Sequence, residues 1–332
     1  MPKRSSAVRW SIRARHRRGF VTPRILVTGA AGYLGSVLVG RLLDGGFTVR
    51  AVDALIYGQT SLLQYCGRPG FEFVRGDVRD DDLMRRALAA ADAIVPLAAL
   101  VGAPVCSRDP WSARAVNFEA IAMLTRLRSP SQLIVFPNTN SGYGHTAAGS
   151  VCTEESPLAP VSLYARTKCE AEQVVLQAGH SLSLRMATMF GASPRMRTDL
   201  LVNDFVHSAC TTRSLVVFDG DFRRNFVHVR DAADCIEYSL NNSEQMIGGA
   251  YNLGLDDSNL TKRELALLVQ KHVPGCNVEL AQIGSDPDRR SYTISSTLLA
   301  SKGYAAQRSL EAGIEELKTV YAMWPRNHFG NV

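Results

Sequence analysis

No stretch of this 332-residue chain stays apolar long enough to cross a membrane. The longest nearly apolar run, residues 93–106, contains Pro96 and Pro104, whereas a spanning helix needs about twenty residues. Cysteine is sparse and scattered. Cys66, Cys106, Cys152, Cys169, Cys210, Cys235 and Cys276 form no C-x-x-C pair, which argues against a disulfide framework and a zinc site. No metal is expected. Internal repeats and low-complexity tracts are missing too, and hydrophobic residues at 46% with charged ones at 20% exclude a disordered or fibrous chain.

Acid is missing from the start. Residues 1–24 hold Lys3, Arg4, Arg9, Arg13, Arg15, Arg17, Arg18 and Arg24 and no Asp or Glu. With these eight set aside, 29 basic residues face 31 acidic ones, a net of −2 in place of +6. The basic character is therefore local to the first residues and is no sign of a nucleic-acid-binding body. Residues 1–23 read as a disordered extension. A transit peptide, a nucleic-acid or lipid arm and a translation start at Val21 are the other readings. A cytoplasmic protein is expected, with neither membrane nor nucleic acid as partner.

What is present is alternation. Short apolar strands at 24–28, 48–53, 71–75, 93–98, 133–137 and 181–186 are separated by helical patterns at 33–43, 80–90, 111–128 and 162–178. This predicts an α/β fold of Rossmann type, a doubly wound parallel sheet covered on both faces. Residues 24–186 form the dinucleotide-binding domain in this reading. Residues 187–322 form a smaller C-terminal substrate-binding lobe, with some later segments returning to the first domain, and 323–332 a tail. The second half is less regular: strands at 215–218 and 226–228, helices at 230–240, from the Thr261–Glu264 capping box to His272, and from Ser309 to about Tyr321.

The first strand runs into Thr28-Gly-Ala-Ala-Gly-Tyr-Leu-Gly35. Gly29 suits a tight turn, Gly32 a close approach of backbone to a pyrophosphate, and Gly35 close packing of the helix whose free N–H groups face the phosphates. Asp53 ends the second strand at about the twenty-residue distance expected of a ribose-binding acid, which favours NAD over NADP. Asp77, after the third strand, is placed to meet adenine, and Ala98 and Ala99 after the fourth to line the cofactor by backbone. Tyr164 and Lys168 stand at i and i+4 on one helix face. A lysine ammonium there lowers the phenol pKa and makes Tyr164 a general base for an alcohol, or an acid for a ketone.

Together with Gly76-Asp77-Val78, Leu97-Ala98-Ala99, Asn117, Thr139–Gly144 and Arg224–Asp231, these motifs make residues 24–321 resemble the extended short-chain dehydrogenase/reductases. The match is to the NAD-dependent epimerase/dehydratase branch acting on nucleotide sugars. The resemblance implies that Gly29, Gly32, Tyr33, Leu34, Gly35, Asp53, Asp77, Val78, Leu97, Ala98, Ala99, Asn117, Tyr164 and Lys168 face NAD. It implies catalysis by Tyr164, Lys168 and Thr139, a nucleotide-diphosphate-sugar substrate near Thr139, Asn140, Ser141, Arg195, Asn203, Arg224 and Arg290, help from Arg197, and a homodimer.

Members that dehydrate carry an acidic pair after the threonine, and members that epimerise at C3 or C5 carry a cysteine. This chain has Asn140 and Ser141 there. Hydride-only chemistry follows, a 4-epimerase first and a C4 dehydrogenase or ketoreductase second, with a 4,6-dehydratase behind both. His145 and Cys106 are the candidates for a substitute base, against their plainer readings as a loop histidine and a packed cysteine. An NAD-binding scaffold or sensor is the non-enzyme alternative. Leu184-Arg-Met-Ala-Thr188 departs from the family's Leu-Arg-x-x-Asn.

Overall fold

The structure is a computed structural model describing residues 22–147, 149–281 and 290–323. The expected extension before residue 22 and the tail after 323 lie outside the described residues.

Seven parallel strands form the central sheet: β1 (Arg24–Thr28), β2 (Thr48–Asp53), β3 (Phe71–Arg75), β4 (Ala93–Pro96), β5 (Leu133–Thr139), β6 (Ser181–Met186) and β7 (Ala250–Leu253). Their spatial order is β7-β6-β5-β4-β1-β2-β3. Winding therefore reverses at β1, which pairs with β2 on one side and β4 on the other. In such sheets, ligands bind beyond the carboxyl ends of the strands at this reversal. The apolar strands serve two faces at once. Ile25 and Val27 join one core with Leu38 and Leu42, and Leu26 joins the other with Ile94, Ile134, Phe136 and Met84.

The helices that position the site are α1 (Tyr33–Asp44), α2 (Asp81–Leu88), α3 (Ala120–Leu127), α4 (Leu163–Gln177), α5 (Leu201–Thr211), α6 (Val229–Asn241), α7 (Lys262–His272) and α8 (Leu310–Met323). Their caps follow the sequence. Asp80 accepts from Leu83 N–H, Ser162 from Ala165 N–H, and Thr261 and Glu264 form the capping box.

Two features depart from the sequence reading. The single helix expected at 111–128 is a short helix at Pro110–Arg114, a π-turn at Ala115–Glu119, and α3. The wider π-turn sits where Asn117 is buried with its amide on the Leu100 backbone, a local gain that periodicity does not encode. Helix α5 falls where no helix was expected. Beyond these two, β7 is a segment after residue 186 that pairs with β6 in the central sheet, the kind of return the sequence reading allows.

Candidate active site

The turn after β1 leaves the first turn of α1 without a side-chain cap, so its N–H groups are available to an anion. Gly29 adopts φ +65°, and a Cβ there would lie 2.5 Å from Ala98 N. Gly35 is equally confined, because a Cβ would lie 2.3 Å from Gly29 O. Only glycine lets the turn nest against the strand beside it.

Asp53 closes the far side. Ala31 N–H donates to its Oδ2 at 2.9 Å, and Leu55 N–H and Gln59 Nε2 donate to Oδ1 at 2.8 and 3.2 Å. Burial raises the Asp53 pKa, the two backbone bonds oppose this, and the charge of Arg195 opposes it further. Asp77 chelates Arg79, with Nη2 at 2.6 Å, and this pairing holds its pKa below the usual carboxylate range.

Helix α4 supplies Tyr164 and Lys168. Lys168 is buried, its Nζ donates to Pro137 O at 2.7 Å, and the ammonium sits 4.1 Å over the Phe136 ring. Burial pulls its pKa down to about 7, against the charge of Glu172 one turn on. Burial also drives the Tyr164 phenol up to about 12, while the charges of Arg197 and Arg290 pull the other way. The expected lowering of Tyr164 by Lys168 is therefore corrected. Desolvation outweighs the neighbouring cations here, and the arginines lead among those cations.

These groups line one cleft of about 430 Å³. Its walls include Gly29, Gly32, Tyr33, Leu34, Gly35, Asp53, Asp77, Val78, Leu97, Ala98, Ala99, Tyr164, Lys168, Arg195 and Arg197. Asp53 on β2 and Pro137 on β5 are three strand steps apart in the sheet, roughly 14 Å at the usual inter-strand spacing. The cleft thus has an Asp53 end, where the sequence reading expects a ribose, and a phenol end, joined by a glycine turn that suits phosphates. The donor set and the space above Gly29 fit a dinucleotide. The carboxylates lining it, among the described residues, are Asp53, Asp77 and Asp109. The first two follow β2 and β3, and Asp109 lies within electrostatic reach of Arg79, so these three gather at the Asp53 end.

Other sequence candidates stand behind the wall. Thr139 Oγ1 donates to Ser141 Oγ at 2.9 Å and accepts from Ser141 N–H at 3.1 Å. Asn140 is fully buried, and the amide orientation that satisfies its surroundings turns its nitrogen to Arg185 O and its oxygen to Ala187 N–H. Asn203 is fully buried on α5 and ties Gly191 N–H, Tyr33 Oη and Arg197 O together. Asn117 clamps Leu100 from behind the cofactor wall. Arg224 donates to Arg290 O, which joins the two arginines expected to face a diphosphate. His145 stacks edge-on with Phe222, and Cys106 is buried with its thiol pushed up to about 11 by desolvation.

Sequence reasoning missed Ile56, Tyr57, Gln59, Arg79, Asn138, Met186 and Met189, all in the cleft wall. Tyr57 and Gln59 follow Asp53 closely, and that nearness was the available signal.

Known proteins bear on this geometry. The family described as the NAD dependent epimerase/dehydratase family matches residues 25–254. The low-salt glycan biosynthesis protein Agl12 of Haloferax volcanii is 30% identical over 310 residues, which cover 90% of this chain and 98% of that protein. A double mutant of the dTDP-glucose 4,6-dehydratase DesIV from Streptomyces venezuelae, solved with NAD and DAU bound, superposes with a TM-score of 0.80 at 26% identity, covering 90% of this chain and 97% of that one. The UDP-glucose 4-epimerase of Thermus thermophilus, solved with NAD, has a TM-score of 0.79 at 24% identity, covers 90% and 99% of the two chains, and shares the fold.

Proposed function

We propose, given that the chain belongs to the NAD-dependent epimerase/dehydratase family and that its cofactor is NAD, that it is a nucleotide-sugar epimerase acting at C4. The observation that carries this reading is the character of the phenol end. Tyr164 and Lys168 line it, the lining carboxylates gather at the other end, and the resemblance puts Asn140 and Ser141 at the sequence positions where dehydrating members carry an acidic pair.

Bound NAD supplies a hydride acceptor that returns what it takes. The chain's part is to hold the sugar and move one proton. Tyr164 Oη, in its phenolate form, would take the proton of the C4 hydroxyl as C4 is oxidised and give it back as the ketone is reduced, which requires cationic charge beside it, Arg197 and Arg290 included, to offset the desolvation that raises this phenol. Lys168 is assigned the nicotinamide ribose. Thr139, at the end of β5, is assigned the hydrogen bond to the reacting oxygen. Arg197, Arg224 and Arg290 are assigned to the substrate diphosphate, for which guanidinium forks are suited. A cytoplasmic homodimer completes the reading, with Trp111, 87% exposed on the short helix beside α3, on the face covered by a second copy.

The test incubates purified protein with NAD and a panel of UDP-, dTDP-, GDP- and CDP-sugars. NADH absorbance is followed and the products are identified by NMR. An isomeric sugar nucleotide without net NADH is expected. Stoichiometric NADH with a 4-keto sugar would establish the dehydrogenase, and a 4-keto-6-deoxy product would overturn the hydride-only assignment.

A further inference from the structure

We propose that Tyr57 and Arg195 form a strap across the cofactor cleft that slows the escape of bound dinucleotide. The two residues come from opposite halves of the chain. Tyr57 follows β2 and is 43% exposed, whereas Arg195 lies in the 191–199 segment before α5 and is 4% exposed. Both line the cleft, and the Arg195 guanidinium lies 4.9 Å over the centroid of the Tyr57 ring. A guanidinium held over an aromatic face is attracted by the ring quadrupole, more strongly when it is shielded from water.

Each end of the strap is anchored to a part of the cofactor site. Tyr57 N–H donates to Gln59 Oε1 at 3.1 Å, and Gln59 Nε2 donates to Asp53 Oδ1 at 3.2 Å. The first end therefore hangs from the Asp53 carboxylate. On the other side, Arg195 N–H donates to Ser193 Oγ at 3.2 Å, and Ser193 Oγ donates to Tyr33 O at 2.7 Å. Tyr33 Oη in turn donates to Gly191 O at 2.7 Å. The second end is tied to the first turn of α1, the phosphate-facing turn.

The stacked pair joins the two anchors. It closes a belt that runs from Asp53 through Gln59 and Tyr57 to Arg195, Ser193 and Tyr33. The attraction between Asp53 and Arg195 acts in the same direction. A dinucleotide seated between the ribose and phosphate anchors leaves by parting the belt, and the stacked pair is its one link made by a side-chain ring alone. The inference rests on NAD binding and is independent of the C4 assignment.

The experiment loads the full chain with NADH, chases it with excess NAD, and follows the loss of protein-bound NADH fluorescence. No sugar nucleotide enters, so the outcome is separate from the fate of the 4-epimerase reading. Tyr57→Leu keeps apolar bulk but removes the ring, and is expected to speed release about tenfold, the scale of one shielded cation–π contact. Tyr57→Phe keeps the ring and is expected to release NADH as slowly as the unaltered chain. Arg195→Ala, which also removes the attraction to Asp53, is expected to speed release at least as much as Tyr57→Leu, and the double variant to be no faster than Arg195→Ala alone, because the ring contact is then already lost. Release from Tyr57→Leu at the unaltered rate would overturn the strap. So would rate increases that multiply in the double variant, since the two residues would then act separately.

Discussion

The dinucleotide half and the proposed substrate half of this protein are built by different means. Around Gly29, Asp53 and Ala98 the site is mostly backbone: a turn confined by its own neighbours, uncapped N–H groups and one carboxylate held by main-chain bonds. Around Arg224 and Asn203 it is side chains held across long sequence distances, as in Asn203 to Tyr33 and Arg224 to Arg290. A backbone site tolerates change at most positions and fails sharply at a few. A site of long-range side-chain bonds is tunable residue by residue, which suits the half proposed to select a substrate. Helix α4 sits between the two and carries Tyr164, Lys168 and Glu172 on successive turns of one face.

The largest effect is expected at that junction. Tyr164→Phe should cut turnover by about a thousandfold, within the range for a positioned acid/base, while copurifying NAD stays at its unaltered level. If both fell together, Tyr164 would belong to the cofactor half rather than to the chemistry.

Next comes the pair beneath the junction. Glu172 is buried with Arg185 Nη2 at 2.7 Å, Ser183 Oγ at 2.5 Å and Asn138 Nδ2 at 2.7 Å. Glu172→Ala leaves Arg185 buried and uncompensated, and should cost about 3–5 kcal/mol in urea unfolding. A cost well under 1 kcal/mol would mean that water or Glu154 takes over the guanidinium.

Lys168 gives a pH-dependent test. Its pKa is about 7 in the folded chain against an ordinary value of 10.5. The unfolded state therefore binds more protons between those values, and the folded state gains stability as pH rises through that window. A gain on the order of 3 kcal/mol between about pH 7 and pH 10 is expected, and Lys168→Met should remove it. A variant that keeps the gain would place its source elsewhere.

The smallest effect probes the backbone half. Asp53→Ala should weaken NAD by about 1–2 kcal/mol, the scale of a charge-assisted hydrogen bond, and should weaken NADP less, which binding titrations of both would show. Equal losses would mean that Asp53 organises the 54–59 turn without reading the ribose.

The sheet was legible because its strands are short apolar runs between capped helices, and Asp80, Ser162 and Thr261 cap where local rules put them. The glycine turn and Asp53 were legible because their chemistry is local. The π-turn at Ala115–Glu119 was not, since it depends on a partner elsewhere in the chain, the Leu100 backbone that Asn117 holds. Thr139, Asn140 and Ser141 were legible as residue types but not as orientations. Whether a side chain at a strand end meets the cleft or the core is decided by what packs behind it.

By itself, the sequence determined the strand–helix alternation, the dinucleotide turn and the Tyr164–Lys168 pairing, all consequences of interactions within a few residues or one helical turn. Only the tertiary structure decided that the Tyr164 phenol is pushed up rather than down, that Arg197 shares its cleft, and that Tyr57 meets Arg195. Desolvation and cross-chain contact depend on what surrounds a group in space, and spacing along the chain does not carry that information.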